Sequence, residues 1–157
     1  MRVTIQLIKG DEQFILPCTE SLQDSELGKI YFPDKDKAES AIKEFVLNGN
    51  LLIAVDEYQT FTGFVCYLPT GAFHAFPYLH LLVTARTVRR KGIGTLIMDA
   101  FEELAFSQKD KLFLVVADFN TAGKKFYKKR NFVEIGNIPS LYRKGINECI
   151  MMKTNGK

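Results

Sequence analysis

The sequence predicts a single domain of the mixed α/β class, built from strands and helices that alternate along 157 residues. The main observation is a series of short apolar runs, such as YLHLLVT (78–84) and KLFLVVA (111–117), separated by segments in which apolar residues recur at helical spacing. The composition agrees, because 46% hydrophobic and 25% charged residues are typical of a globular protein with one core. Since no internal repeat or linker-like segment divides the chain, we expect one domain over residues 1–157.

The first fifty residues predict one strand and a helical region. RVTIQLI (2–8) alternates between apolar and polar residues, as a half-buried strand does. A helical region is expected within residues 11–48, and its clearest helix precedes Gly49, a typical helix stop. The apolar residues at helical spacing in that helix are Ala38, Ala41, Ile42, Phe45 and Val46.

The middle of the chain predicts three strands. LLIAV (51–55) and FTGFVCYL (61–68) are joined by a polar connection of hairpin length. A loop rich in Pro, Gly and aromatic residues, PTGAFHAFP (69–77), leads to the third strand at 78–84. This strand is almost continuously apolar, so we expect it near the centre of a sheet.

The rest of the chain predicts two helices and three strands. A helix from about residue 92 carries one apolar face, formed by Ile93, Leu96, Ile97, Ala100, Phe101 and Leu104. The strand 111–117 follows it, and NTAGKKFYKKRN (120–131) is a short basic helix. FVEIG (132–136) and NECIMMK (147–153) are strands on either side of a loop at 137–146. The order β, helical region, β, β, β, α, β, α, β, β predicts a mixed sheet.

Composition and spacing argue against several classes of protein. No apolar run approaches the roughly 20 residues that cross a bilayer, and the start MRVTIQLIKGDEQ is charged too early for a secretory signal. We therefore expect a cytoplasmic protein without a membrane segment. Cys18, Cys66 and Cys149 are odd in number and far apart, which indicates free thiols. His74 and His80 lack supporting ligands nearby, so no metal site is expected.

The turn between the central strand and the following helix contains the most informative local pattern. Gly92 and Gly94 lie in the first helical turn, where each glycine costs about 1 kcal/mol relative to alanine. Backbone N–H groups lack helical partners there and the helix dipole is positive, so an anion can bind. The preceding cations Arg89, Arg90 and Lys91 would add charged donors to a phosphate. The alternative is that both glycines serve close packing alone.

Known phosphate loops can be distinguished by their spacing. The Walker pattern GxxxxGK[ST] is absent, and the dinucleotide pattern GxGxxG would need glycine at Ile97. RRKGIG (89–94) fits [RQ]-x-x-G-x-[GA] and resembles the pyrophosphate loop of the GNAT superfamily of acetyl-CoA-dependent N-acetyltransferases. Leu82 and Thr84 match the L-x-V run that precedes this loop in the family, with Thr84 in place of valine.

A second motif strengthens the resemblance to the GNAT superfamily. The family pattern N-x-x-A-x-x-x-Y-x-x-x-G-F is matched by Asn120, Gly123, Tyr127, Asn131 and Phe132, with glycine for alanine and asparagine for glycine. Asparagine tolerates the left-handed conformation, so Asn131 can still end the helix. The resemblance covers residues 51–136 through motifs and residues 11–50 only in outline.

The resemblance implies a mostly antiparallel mixed sheet flanked by helices, in which the parallel strands four and five splay apart. It also implies acetyl-CoA as the cosubstrate and direct transfer of the acetyl group, without a metal, to an amine of a small molecule or peptide. The coenzyme contacts that it implies are Leu82, Val83, Thr84, Arg89, Arg90, Lys91, Gly92, Ile93, Gly94, Thr95, Asn120 and Tyr127.

A general base is needed because an amine must lose a proton before it attacks the thioester. His80 shares a strand face with Leu82 and Thr84, and an ordinary histidine pKa of about 6.5 suits this task. The alternative is a structural histidine that is hydrogen-bonded within the sheet. His74, in the loop before the strand, is a weaker candidate.

The leaving thiolate needs a proton donor, and Tyr127 resembles the general acid of the family. Asn120 lies seven residues earlier, nearly on the same helical face, and resembles the coenzyme-contacting asparagine of the family. The structural alternative for Tyr127 is a buried aromatic residue, a role that the adjacent Phe126 suits better.

The alternative function is a non-catalytic acyl-CoA-binding sensor or interaction module, which would need no acid such as Tyr127. The cations of 124–130 form either a solvated face or a contact with the coenzyme 3′-phosphate, and a net charge of +3 is weak evidence for a nucleic-acid partner. The acceptor is expected to lie between the variable segments 17–37 and 137–146. The sequence is also compatible with a homodimer.

Overall fold

The structure is a computed structural model that describes residues 3–89 and 91–156. Within these ranges, strands and helices follow each other in the predicted order. The strands are β1 (Gln6–Lys9), β2 (Leu51–Val55), β3 (Phe61–Ala72), β4 (Phe76–Thr84), β5 (Lys111–Ala117), β6 (Val133–Arg143) and β7 (Ile146–Thr154). The helices are α1 (Ile15–Asp24), α2 (Glu26–Tyr31), α3 (Lys35–Leu47), α4 (Ile93–Gln108) and α5 (Thr121–Lys129).

The strands form one sheet in the order β1-β2-β3-β4-β5-β7-β6. Strand β4 pairs with β5 in parallel, with Tyr78 opposite Phe113 and Leu79 opposite Leu114. The pairs β1–β2, β2–β3, β5–β7 and β6–β7 are antiparallel. The predicted mixed, mostly antiparallel sheet with a central β4 is therefore confirmed, whereas the splaying of β4 from β5 stays a prediction.

The chain groups into two compact units, and strands β3 and β4 each run through both. The first unit contains the chain up to Tyr67 together with Leu81–Leu104. The second contains Leu68–His80 and the chain from Ala105 onward. The expectation of one domain over the whole chain stays a prediction.

The core of the first unit is formed by α1 and α3 against one face of the sheet. It contains Cys18, Leu22, Ala38, Ile42, Leu51, Ile53, Val55, Phe64, Cys66, Leu81 and Val83. The Asp34 carboxylate caps α3 by accepting hydrogen bonds from the backbone N–H groups of Asp36 and Lys37. Gly49 follows the helix with a φ of 71°, as predicted for a glycine stop.

The second unit contains strands β5, β7 and β6. Its short helix α5 ends as the sequence predicts. Asn131 adopts a φ of 73°, so asparagine does supply the left-handed residue that follows the helix. This bend buries the next side chain, Phe132, almost completely. The prediction of free thiols is confirmed as well, since Cys18, Cys66 and Cys149 are buried and unbridged.

The prediction of loops at 69–77 and 137–146 is wrong, because each segment is part of a β-hairpin. Strand β3 continues to Ala72, and only residues 73–75 separate it from β4. The register with β2 ends at Cys66, so Pro69 lies where a missing N–H costs no bond with β2. The first strand begins at Gln6, so residues 3–5 of the predicted strand do not belong to it, and Arg2 lies outside the described residues.

The second misplaced loop is the segment 137–146. Strand β6 runs on to Arg143, and a tight turn with Gly145 at a φ of 85° leads into β7. The pairing of β6 with β7 is interrupted between Ile138 and Arg143, where Pro139 lies. A proline is therefore tolerated here because the ladder is already broken.

Candidate active site

The glycine turn lies in the first unit, between the end of β4 and the start of α4 at Ile93. Gly92 has a φ of 75°, a conformation that explains glycine at this position. Gly94 is helical, and a Cβ built there would meet only the Thr84 Cγ2 atom at 3.7 Å among the described residues. The protein's own packing therefore does not explain Gly94, and the backbone of this turn is open to a ligand.

Arg89 connects the glycine turn to the end of α1. Its Nε donates to the Thr84 carbonyl oxygen at 3.2 Å, and its Nη2 to the Ser21 carbonyl oxygen at 3.2 Å. Its Nη1 donates to the Asp24 carbonyl and carboxylate oxygens at 3.2 and 3.1 Å. The guanidinium thus fixes the shape of the turn, and its predicted contact with a phosphate stays a prediction.

The other predicted cations and neighbours of the turn differ in accessibility. Lys91 and Thr95 are exposed, and Ile93 is buried in the core. Arg90 lies outside the described residues. Of the predicted cationic donors, Lys91 is therefore the one that the described turn presents to solvent.

The burial pattern of β4 confirms that His80 shares one strand face with Leu82 and Thr84. His80, Leu82 and Thr84 are half-buried and alternate with the buried Leu81 and Val83. Burial lowers the pKa of His80 from its ordinary value of 6.5. His80 is therefore neutral at pH 7 and able to accept a proton.

Asn120, in the second unit, caps helix α5. Its Oδ1 accepts a hydrogen bond from the Gly123 backbone N–H at 2.9 Å. A Cβ at residue 123 would lie within 3 Å of the Asn120 side-chain amide, so an alanine there would require this side chain to shift. The predicted coenzyme contact of Asn120 stays a prediction.

Tyr127 is half-buried in a cluster of three aromatic rings. Its ring packs edge-on against Phe126 and Phe132, with centroids 5.1 and 5.4 Å apart. The expectation that Phe126 is the buried member of this segment is wrong, since Phe126 is half-buried and Phe132 is the buried ring. Both of these contacts are made by the Tyr127 ring and not by its hydroxyl group.

Three cations in or next to the basic helix α5 have partners within the second unit. The Nζ atoms of Lys124 and Lys128 each lie 3.0 Å from the Glu134 Oε1. The hydrogen bonds from Lys128 and Lys124 lower the pKa of the Glu134 carboxyl to about 2. The guanidinium of Arg130 lies over the Phe126 ring, 5.7 Å from its centroid. These contacts favour a solvated basic face.

Sequence reasoning missed two cavities and the buried acids Glu102 and Glu148. A cavity of about 580 Å³ in the first unit is lined by Pro17, Glu20, Ser21, Gln23, Asp24, Phe61, Ala85, Arg86 and Thr87. A cavity of about 250 Å³ in the second unit has a mainly apolar lining. The carboxylate of Glu148 is buried on β7. The alternation of β7 gives no signal for Glu148, since Ile150 and Met152 on the same strand face are only half-buried.

Neither a candidate metal site nor a candidate membrane-spanning helix is found within residues 3–89 and 91–156. No three His, Cys, Asp or Glu side chains of these residues are grouped so that they could hold a metal ion. No helix of the same residues has the length and apolar character needed to span a membrane.

Comparisons with known proteins agree with this geometry. Residues 17–132 match the model of the acetyltransferase (GNAT) family. A GNAT-family acetyltransferase from Bacillus cereus ATCC 10987 is 19% identical with a TM-score of 0.75, covering 98% of this chain and 99% of its own. Ard1 from Thermoplasma volcanium is 19% identical with a TM-score of 0.77, at coverages of 98% and 99%.

A third similar structure is the spermidine/spermine N-acetyltransferase SpeG from Vibrio cholerae. It is 14% identical with a TM-score of 0.72, covering 96% of this chain and 92% of its own. At such identities, these structures show a shared fold. A search of curated proteins finds no significant match. Because the family model covers most of the sequence, this chain belongs to the GNAT family of acetyltransferases and is an acyltransferase.

Proposed function

We propose that the protein is an N-acetyltransferase that moves an acetyl group from acetyl-CoA to an amine of a small molecule or peptide by direct transfer. The observation that carries this proposal is Gly94, a helical glycine that packing leaves unexplained and whose surroundings are open. A phosphate group fits such a position, because helix N-terminal N–H groups can approach it closely without a Cβ in between.

Acetyl-CoA supplies an activated thioester, and the chain supplies the groups that hold it. The backbone N–H groups of Gly92–Thr95 would bind the pyrophosphate, assisted by Lys91 and by the neighbouring arginines. The backbone of Leu82–Thr84 would bind the pantetheine arm as an added strand does. Asn120 is the proposed further coenzyme contact.

Two side chains have proposed catalytic roles. His80 would accept the proton of the attacking amine, directly or through water, because it is neutral at pH 7. Tyr127 would donate a proton to the departing thiolate. The amine acceptor agrees with the family, of which the similar SpeG structure is a spermidine/spermine N-acetyltransferase.

Replacing Gly94 by alanine tests the coenzyme site directly. The new Cβ has room in the free protein, so thermal unfolding should show a stability gain of up to about 1 kcal/mol from helix propensity. Calorimetry should nevertheless show weaker acetyl-CoA binding, because the methyl group separates the phosphate from the N–H groups. The thermal stability should rise while the acetyl-CoA affinity falls, so loss of folding cannot produce the same result. Unchanged affinity in the stabilised variant would contradict the proposed site.

Replacing His80 by glutamine tests the base. We expect kcat/KM to fall about 100-fold while acetyl-CoA affinity is retained. Since only neutral imidazole accepts a proton, the wild-type rate should fall as pH decreases through the His80 pKa, which burial places below 6.5. His80→Gln should remove this acidic limb, whereas His74→Asn, which replaces the other histidine, should keep it. A His80→Gln enzyme with normal rate and limb would assign proton removal to water or another residue.

A further inference from the structure

The second unit contains a small apolar cavity between the β3–β4 hairpin and strands β5, β6 and β7. It has a volume of about 250 Å³ and is lined by Gly71, Ala72, Phe73, Tyr78, Phe113, Leu114, Val115, Ile138, Leu141 and Ile150. Among the described residues that line it, Tyr78 is the one with a polar side-chain group. Pockets for whole drug-sized ligands are typically about 300–1,000 Å³, so this cavity suits one ring or a short branched chain.

One wall of the cavity is an aromatic side chain held by a strained turn. Phe73 and His74 have φ values of 56° and 58°, a left-handed conformation that few non-glycine residues adopt. Phe73 remains 74% exposed, and its ring packs edge-on against Phe113 with a centroid distance of 5.4 Å. Such strain is concentrated at functional sites, and here it places an aromatic ring at the cavity entrance.

A buried carboxylate lies beside the cavity, on the face of the β6–β7 ladder that carries the lining residues Ile138 and Ile150. Glu148 is 3% exposed and lies directly opposite Ile138, a lining residue, in the β6–β7 ladder. Directly opposite residues of an antiparallel pair point to the same face, about 5 Å apart at Cβ. Ile150, another lining residue, is two positions further along β7 on this face, or about 7 Å away.

Tyr78 lines the apolar cavity and also interacts electrostatically with the buried acid Glu148. Burial raises the pKa of its phenol, and the Tyr142 side chain, through a hydrogen bond, and the negative charge of Glu148 raise it further. The Tyr78 hydroxyl is therefore protonated at neutral pH and lies within the electrostatic range of Glu148. The Tyr78 ring also lies 6.0 Å from that of His80, the proposed base.

We propose that this cavity binds the acceptor, a primary amine that carries one aromatic or branched alkyl group and no second charge. The inference rests on the proposed N-acetyl transfer and names its substrate class. The apolar group would fill the cavity, where burial of apolar surface stabilises the complex. The ammonium group would be attracted by Glu148 in an environment that water screens poorly. A second charge, as in a polyamine or an amino acid, would have to enter an apolar lining, which is unfavourable.

Direct binding of 2-phenylethylamine to the full-length chain tests the proposal. Calorimetry in the presence of CoA should show an affinity at least tenfold higher than that of ethanolamine or spermidine. Equal or weaker binding of 2-phenylethylamine would overturn the proposal. The amine is titrated without transfer, so this outcome is separate from failure of the proposed function, which would appear as absent acetyl-CoA binding or absent transfer to every amine.

Two matched variants locate the binding site. Leu141→Lys adds a positive charge at the cavity, and Val133→Lys adds the same charge to an exposed apolar position of β6 outside the lining. Only Leu141→Lys should weaken 2-phenylethylamine binding, by tenfold or more. Equal effects of both variants would overturn the proposal. So would a dimer that Leu141→Lys alone dissociates, since the cavity would then be an interface between copies.

Two further variants test separately how the apolar group and the ammonium group of the acceptor are bound. Val115→Phe should fill the cavity and abolish 2-phenylethylamine binding while CoA affinity is retained. Glu148→Gln should weaken 2-phenylethylamine binding at least tenfold with little effect on CoA affinity. If Glu148→Gln fails to fold, Val115→Phe still decides the matter, because unchanged 2-phenylethylamine binding in that variant would overturn the proposal.

Discussion

Replacing Tyr127 by phenylalanine is expected to slow acetyl transfer by about 10- to 1,000-fold while acetyl-CoA binding is retained. The hydroxyl is the only group removed, and the edge-on packing of the ring against Phe126 and Phe132 does not depend on it. The backbone carbonyl of Tyr127, which accepts from Arg130 and Phe132, is also unaffected. Loss of a positioned acid should therefore appear in the chemical step and not in folding.

Single-turnover rates and CoA affinity, measured side by side, separate these effects for Tyr127→Phe. Tyr58→Phe is the matched control, because this tyrosine is 70% exposed and lies in the connection between β2 and β3. The control should keep the wild-type rate. Equal rates in Tyr127→Phe and wild type would make Tyr127 a packing residue and would assign protonation of the thiolate to water or another residue.

Replacing Gly94 by glutamate should weaken acetyl-CoA binding by at least tenfold, about 1.4 kcal/mol. The substitution places both bulk and a negative charge where the pyrophosphate is proposed to approach the helix N-terminus. The free protein should remain folded, because the nearest described atom to a Cβ at this position is Thr84 Cγ2 at 3.7 Å.

Calorimetry with CoA on a variant whose circular dichroism matches wild type measures the effect of Gly94→Glu. Gly156→Glu is the charge-matched control, since a Cβ at Gly156 would also meet open space. Only the substitution at the turn should reduce affinity. If Gly94→Glu binds CoA like wild type, the coenzyme site lies elsewhere and the glycine pair has another role.

Local patterns predicted much of the fold because local physics controls the corresponding elements. The capped and glycine-terminated helix α3 and the buried strands β2 and β5 depend on spacing and side-chain type within a few residues. Asn131 is an example of such local control, since its left-handed φ of 73° follows from its own side chain and its place after a helix.

The two predicted loops show where local signals mislead. Pro69 and Pro139 indicate breaks in a strand, yet β3 and β6 continue through them. A proline disrupts a strand only where its missing N–H would have paired. Whether a partner is present there depends on where β2 ends and where the pairing of β6 with β7 is interrupted, and both partner strands lie elsewhere in the sequence.

The sequence by itself determined the glycine turn, the Asn120–Tyr127 motif and the order of the elements, because each depends on residues close together in the chain. Tertiary structure alone decided what Arg89 does, since its carboxylate partner Asp24 is 65 residues away. It also decided that Glu148 is buried beside an apolar cavity, because the lining residues come from five strands and the turn between β3 and β4. Burial and long-range pairing are properties of the packed sheet, and no local spacing encodes them.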